Sequence, residues 1–282
     1  MPDRIGRGMI EAVVNPALWV DQHSHEWMDN WTQDADEAYH WFLDSCAGVG
    51  ETKCALARGN ASAKAIEDRI ERFMNELYDR PMPSINSIVQ AFLTSGDVRS
   101  KLFDAMEDPF AWPQFAVLLD KAMNGDPAPF MNPISRGILP DLARDRFDHA
   151  ELARCALTCS DARAFKKSDP ASFPTPESLA RGIFTRVNNT SRHFGASPGL
   201  IDIDVVIVKH GVTFPSLCQY QASLGYFSHG ILPEDGLNCK TDRDPFALSE
   251  SSLDTMPSED KKLLETGEEL IRTLGEIRRG RI

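Results

Sequence analysis

The sequence predicts a mainly α fold with a small β component. Three observations carry that expectation. Four consecutive segments between residues 34 and 123 repeat apolar residues at helical spacing. Only three short runs, Met9–Val14, Ala153–Cys159 and Ile201–Val208, have the texture of strands. The composition, 42% hydrophobic and 26% charged over 282 residues, is that of a globular chain and not of a disordered or fibrous one.

The elements follow in chain order. Met9–Val14 is short, β-branched at its end and closed by Asn15-Pro16, so it reads as a buried strand. Residues 34–45 place Ala35, Tyr39, Phe42 and Leu43 on one helical face. Residues 62–79 do the same with Ile66, Ile70, Phe73, Met74 and Leu77, and Pro81 ends the run. A third stripe, Val98, Leu102, Ala105 and Met106, predicts a helix over 96–107. The fourth, Phe115, Leu118, Leu119 and Ala122, predicts one over 112–123 with Gly125 as its C-terminal cap. Residues 126–140 hold four prolines and read as a connection, with a short helix over 141–146. Thr175-Pro176-Glu177 is a helix start, with Thr as N-cap and Pro at the first position. Residues 209–257 lack periodicity and read as irregular and poorly packed, before Ser258 opens a last amphipathic helix along Leu263, Leu264, Leu270, Ile271 and Leu274.

Charge and motifs then limit the chemistry. Thirty Lys+Arg against 42 Asp+Glu leave a net charge of -12, which argues against nucleic acid as a partner because phosphate contacts need clustered cations. No apolar run reaches the length of a membrane span, and no signal peptide is visible. The reading is therefore cytoplasmic for the chain as it stands, and secreted if an upstream segment precedes it. Six cysteines without a Cys-x-x-Cys pair suit buried thiols or one or two disulfides better than a zinc module.

Gly195-Ala196-Ser197-Pro198-Gly199 spells a serine-hydrolase elbow, followed by Asp202, Asp204, His210 and His229 in the order acid then base. It fails physically. A helical pattern precedes it and a strand pattern follows, the reverse of an elbow. Pro198 also has no N–H to lend to an oxyanion hole. A Gly/Pro turn is the better account. His23-Ser24-His25, with Asp21, Asp29 and His40 near in sequence, has ligand chemistry but no rigid strand or loop, so it reads as a solvated helix entrance. Trp27, Trp31 and Trp41 read as core packing of the helical block, and Arg278, Arg279 and Arg281 as a solvated terminus.

Several blocks together resemble one family. Gly6–Trp19 is similar to the strand and turn after the nucleophile helix of tripeptidyl-aminopeptidase-like α/β-hydrolases, with Glu11-Ala12 where members usually read Asp-Gly. Phe42–Gly50 with Cys54-Ala55-Leu56-Ala57 resembles the lid signature of that family. Leu102–Met106 with Pro109-Phe110-Ala111-Trp112-Pro113 resembles its lid helix pair, and Cys155–Asp161 the strand that re-enters the core.

The resemblance spans residues 5 to about 195 and implies a helical lid on a fragment of an α/β-hydrolase core. The layout it implies is a core strand fragment (1–20), a helical lid (21–150), a return to the core (151–200) and a divergent, partly irregular tail with a C-terminal helix (201–282). It implies a serine aminopeptidase-like enzyme that acts on peptide, amide or ester bonds without a cofactor or metal. It also implies that Cys46 pairs with Cys54, a link that a turn through Gly48 and Gly50 can accommodate. The nucleophile of the family precedes the segment matched by Met9–Val14, so the expectation is a truncated member with no catalytic serine, acid or histidine to carry over. The alternative is a non-catalytic binding or regulatory protein built on the lid.

Overall fold

The computed structural model describes residues 6–7, 15–23, 35–86, 91–106, 109–131, 160–164, 168, 173–181, 193, 216–242, 244–246 and 256–278. The strand-like runs at 9–14, 153–159 and 201–208 and the short helix at 141–146 lie outside them. The described residues are mostly helical with a two-stranded sheet, a mainly α fold. Two compact units divide the chain: residues 14–208, and residues 1–13 with 209–282.

In the first unit, Asn15 accepts a hydrogen bond from the Ala17 N–H at 3.0 Å and Pro16 opens the short helix α1 (Pro16–Val20). Helix α2 (Ala35–Val49) buries Tyr39, Phe42, Leu43 and Cys46, and runs past residue 45, where its apolar stripe suggests an end. Gly50, at φ 72°, breaks it in the left-handed region that favours glycine. The returning turn donates from the Cys54 N–H to the Gly50 carbonyl at 3.0 Å. Cys54 is thereby brought to Cys46, and the two form a disulfide with Cα atoms 5.3 Å apart.

Helix α3 (Ala63–Asp79) starts at Ser62, whose hydroxyl accepts from the Ala65 N–H at 3.3 Å. Its apolar face, Ile66, Ile70, Phe73, Met74 and Leu77, is buried as one stripe. A hairpin of β1 (Met82–Ser84) and β2 (Ala91–Leu93) follows, paired antiparallel with Pro83 opposite Phe92. Helix α4 (Ser95–Met106) opens on a reciprocal cap. Asp97 accepts from the Thr94 N–H at 2.8 Å and from its hydroxyl at 2.6 Å, and the Asp97 N–H donates back to Thr94 Oγ1 at 3.2 Å. A single 3₁₀ turn (Pro109–Ala111) leads into α5 (Trp112–Met123).

Helices α2, α3, α4 and α5 pack around one core. Trp112 is its keystone. The indole is fully buried, donates to the Ala105 carbonyl at 2.9 Å, and stands edge-on to Phe42 at 5.4 Å. Phe42 also meets Phe115 at 5.9 Å. Each such side chain contributes about 1.5–3 kcal/mol by leaving water. Trp41 differs from the expected core residue: it is partly exposed and covers the edge of Trp112, with centroids 4.8 Å apart. Buried Asp120 on α5 receives Arg58 at 2.5 Å and Arg69 at 3.5 Å, while Arg69 also donates to the Leu56 carbonyl at 2.9 Å. That network fastens the turn after the disulfide to α3 and α5.

Further along, residues 176–181 are helical, and Thr175 caps them by accepting from the Ser178 N–H at 3.2 Å.

The second unit corrects the irregular reading of 209–257. It contains helix α6 (Leu217–His229), capped by Ser216 and ended by Gly230 at φ 74°. No residue of α6 is buried, although Leu217, Tyr220, Leu224 and Phe227 recur at helical spacing among Ser, Gln and Gly residues. Cys218 joins Cys239 in a second disulfide, Cα atoms 5.5 Å apart. Helix α7 (Ser258–Arg278) packs on α6 and buries Leu264, and Gln221 donates to Asp260 at 2.9 Å between the two helices. Arg7 donates to the Phe227 carbonyl.

Candidate functional site

The densest group of chemically capable side chains lies in the helical block. Helical periodicity places Tyr39 and His40 side by side on α2, Tyr39 turned inward and His40 exposed. On α3 the i, i+4 pair Glu67 and Glu71 flanks the apolar stripe, with Glu67 buried. His193 completes the group. Its side chain is 3% exposed, and its ring sits 4.8 Å from the ring of Tyr39 and 6.2 Å from that of His40.

Hydrogen bonds fix the orientation of His193. Its Nδ1 lies 2.8 Å from Glu71 Oε1, and because a carboxylate only accepts, Nδ1 carries the hydrogen. Nε2 then faces Glu67 Oε1 at 3.7 Å. The carbonyl of His193 accepts from the Arg99 guanidinium on α4, so three helices position this one residue. The other oxygen of Glu67 meets Lys64 Nζ at 3.1 Å. Hydrogen bonds to Asp68 and then Glu67 hold the Lys64 ammonium above its ordinary pKa. Burial pushes the Tyr39 phenol well above its ordinary range. The charges of Glu71 and Glu67 push the same way, and Arg99 opposes them. Tyr39 is therefore a neutral phenol under all physiological conditions. Donor atoms of His40, Glu67 and His193 all lie within 4.8 Å of one another.

The residues singled out by sequence distribute differently. Cys46 and Cys54 are covalently joined beside α2. His23 Nδ1 pairs with the Arg163 carbonyl at 2.8 Å, a backbone contact. His229 is exposed at the end of α6. Ser197, Asp202, Asp204, His210, His25, Asp29, Trp27, Trp31 and Arg279 and Arg281 lie outside the described residues. His40, noted in sequence only as a neighbour of His23 and His25, instead meets Glu67 and His193. The signal that could have flagged the group is the pair Glu67 and Glu71, which sets acidic residues against the buried edge of an otherwise apolar stripe.

Among the described residues, no helix is long and apolar enough to cross a membrane. No protein-family model matches the chain, and neither a curated protein nor a solved structure matches it.

Proposed function

We propose that the chain is a binding protein built on a helical lid of the tripeptidyl-aminopeptidase-like α/β-hydrolase kind, receiving a peptide or a small amide or ester without turning it over. One observation carries the reading. Helices α2 to α5 close a core of their own, stapled by Cys46–Cys54 at the place where the resemblance puts the paired cysteines of a lid. Such a block can hold a ligand without the rest of an enzyme. Serine hydrolysis, by contrast, needs nucleophile, base and oxyanion donors acting as a unit. The sequence that spells a nucleophile, Gly195–Gly199, carries Pro198 where an N–H donor is required.

The second reading is a serine hydrolase of the aminopeptidase type, favoured by the order of the matched sequence blocks. One experiment separates the two. Purified full-length chain is treated with a fluorophosphonate probe and with tripeptide anilides, and tripeptide amide binding is followed by calorimetry. The expected result is saturable binding with no labelled serine and no released aniline. A labelled serine with turnover establishes the hydrolase, and absence of any binding removes the binding reading.

A further inference from the structure

We propose that the second unit docks a second copy of this chain, through an apolar face formed by α6 and the segment that returns along it. The inference is independent of the peptide-binding reading, and the face lies wholly within that unit.

The face begins on the helix. Leu224 and Phe227 stand at i, i+3 on α6, and Ile231 continues the row about one turn later, just past Gly230. The chain turns there. The Ile231 N–H donates to the Gly225 carbonyl at 3.2 Å, and the Gly230 N–H to the Tyr226 carbonyl at 2.9 Å. From Ile231 the chain returns along the length of α6, because Cys239 is bonded to Cys218 in the first turn of that helix. Ser216 Oγ donates to the Lys240 carbonyl at 2.8 Å and the Leu217 N–H to Asp242 at 2.6 Å, which fasten the same end. A helix of 13 residues spans about 20 Å, a distance that residues 231–239 cover beside it. Leu232 and Leu237 ride on that return segment.

These five side chains are open to solvent, with Leu232 at 75% and Ile231 at 64%. Together they present about 500 Å² of apolar surface, at roughly 150–200 Å² for a full side chain of this size. A homodimer interface of standard size asks for the same amount, about 65% of about 800 Å² on each partner. The charges favour a second copy over other occupants. A two-fold face must carry both halves of every contact it makes. Exposed Arg7, which donates to the Phe227 carbonyl, and exposed Glu234 and Asp235 supply both signs at the rim. A net charge of -12 opposes an anionic membrane as the occupant.

The test uses the full chain with its free thiols alkylated, so that no intermolecular disulfide contributes. Sedimentation velocity over a concentration series is expected to show a reversible monomer–dimer equilibrium. Leu224→Asp combined with Leu232→Asp should weaken the dimer by about 100-fold or more, as the loss of two central anchors does. Phe92→Asp, at a position 62% exposed on β2 of the first unit, should leave the equilibrium unchanged. Circular dichroism monitors folding of each variant. Should the double variant lose helix, Leu232→Asp alone, outside α6, decides. A parent that stays monomeric through the series, a dimer that keeps full strength in the folded variant, or one that Phe92→Asp dissolves overturns the proposal. A monomeric parent that sediments with phosphatidylcholine vesicles overturns it as well, and gives the face to lipid.

Discussion

The helical block α2–α5 and the α6–α7 pair are both helical, yet they are held by different forces. In the block, Phe42, Ile66, Ile70, Met74, Leu102 and Trp112 are completely buried, and the helices stay together because their apolar stripes leave water. In the pair, α6 buries none of its residues, and Leu224 and Phe227 remain about half exposed at 52% and 49%. What orders α6 is a set of discrete devices: the Ser216 cap, Gly230 at the other end, the Cys218–Cys239 disulfide and a close approach to α7 at Gly267. One region depends on area and the other on a few specific points.

The contrast can be broken at its strongest place first. Trp112→Ala should cost the block about 3–5 kcal/mol, because it empties the centre of the core and strands the Ala105 carbonyl. Chemical denaturation followed by far-ultraviolet dichroism would show the drop. A loss under about 1 kcal/mol would mean that Trp112 is not the keystone.

The disulfides should rank next, and in the opposite regional order. Cys218→Ser with Cys239→Ser removes a link across 21 positions, worth about 3 kcal/mol in chain entropy. The 8-position link of Cys46 to Cys54 is worth somewhat less, about 2–3 kcal/mol, and the block has a core to fall back on. Loss of α6 helicity in the first double variant, with the block intact in the second, is the expected pattern in hydrogen exchange.

Gly267→Ala sharpens the comparison at a single atom. A Cβ there would lie 2.2 Å from Tyr220 Cε2, so the ring must move. The ordinary helix gain of Ala over Gly, about 1 kcal/mol, is then outweighed by an overpacking cost of about 1–3 kcal/mol. A thermal melt showing net stabilisation would place the ring elsewhere. A smaller effect belongs to Thr94→Ala, which removes the reciprocal cap of α4 and should cost about 1 kcal/mol.

Tyr220 also gives the pair a pH signature. Burial, reinforced by the charge of Glu268, pushes its phenol from 10.0 up to about 12. The folded state therefore holds the proton more tightly than the unfolded chain. The associated stability is complete below pH 10 and is lost as pH rises toward 12. Phenolate absorbance of the native protein against Tyr220→Phe should show that one tyrosine titrating late. Titration of this tyrosine at its ordinary value would contradict the contact with α7.

The same division explains what the sequence made legible. Helices α2 to α5 follow from apolar stripes, and Ser62, Pro81 and Gly125 mark their ends to within a few residues. Helix α6 carries only a thin stripe, Leu217, Tyr220, Leu224 and Phe227, set among Ser, Gln and Gly, although Ser216 and Gly230 are sound boundary signals once a helix is suspected between them. The hairpin of β1 and β2 escaped because three-residue strands are too short for alternation to register. The resemblance pointed to Cys46 and Cys54, whereas Cys218 and Cys239 offered no local pattern. The site around His193 was illegible for a deeper reason. Its residues come from α2, α3, α4 and a distant segment, and only tertiary packing brings them together.

The most direct measurement is amide hydrogen exchange of the native protein with and without a thiol reductant. Area-driven packing predicts that α3 and α5 keep slow exchange when the disulfides are reduced, while α6 loses its protection. Uniform loss across both regions, or protection of α6 that survives reduction, would contradict the claim that one region stands on its core and the other on its covalent link.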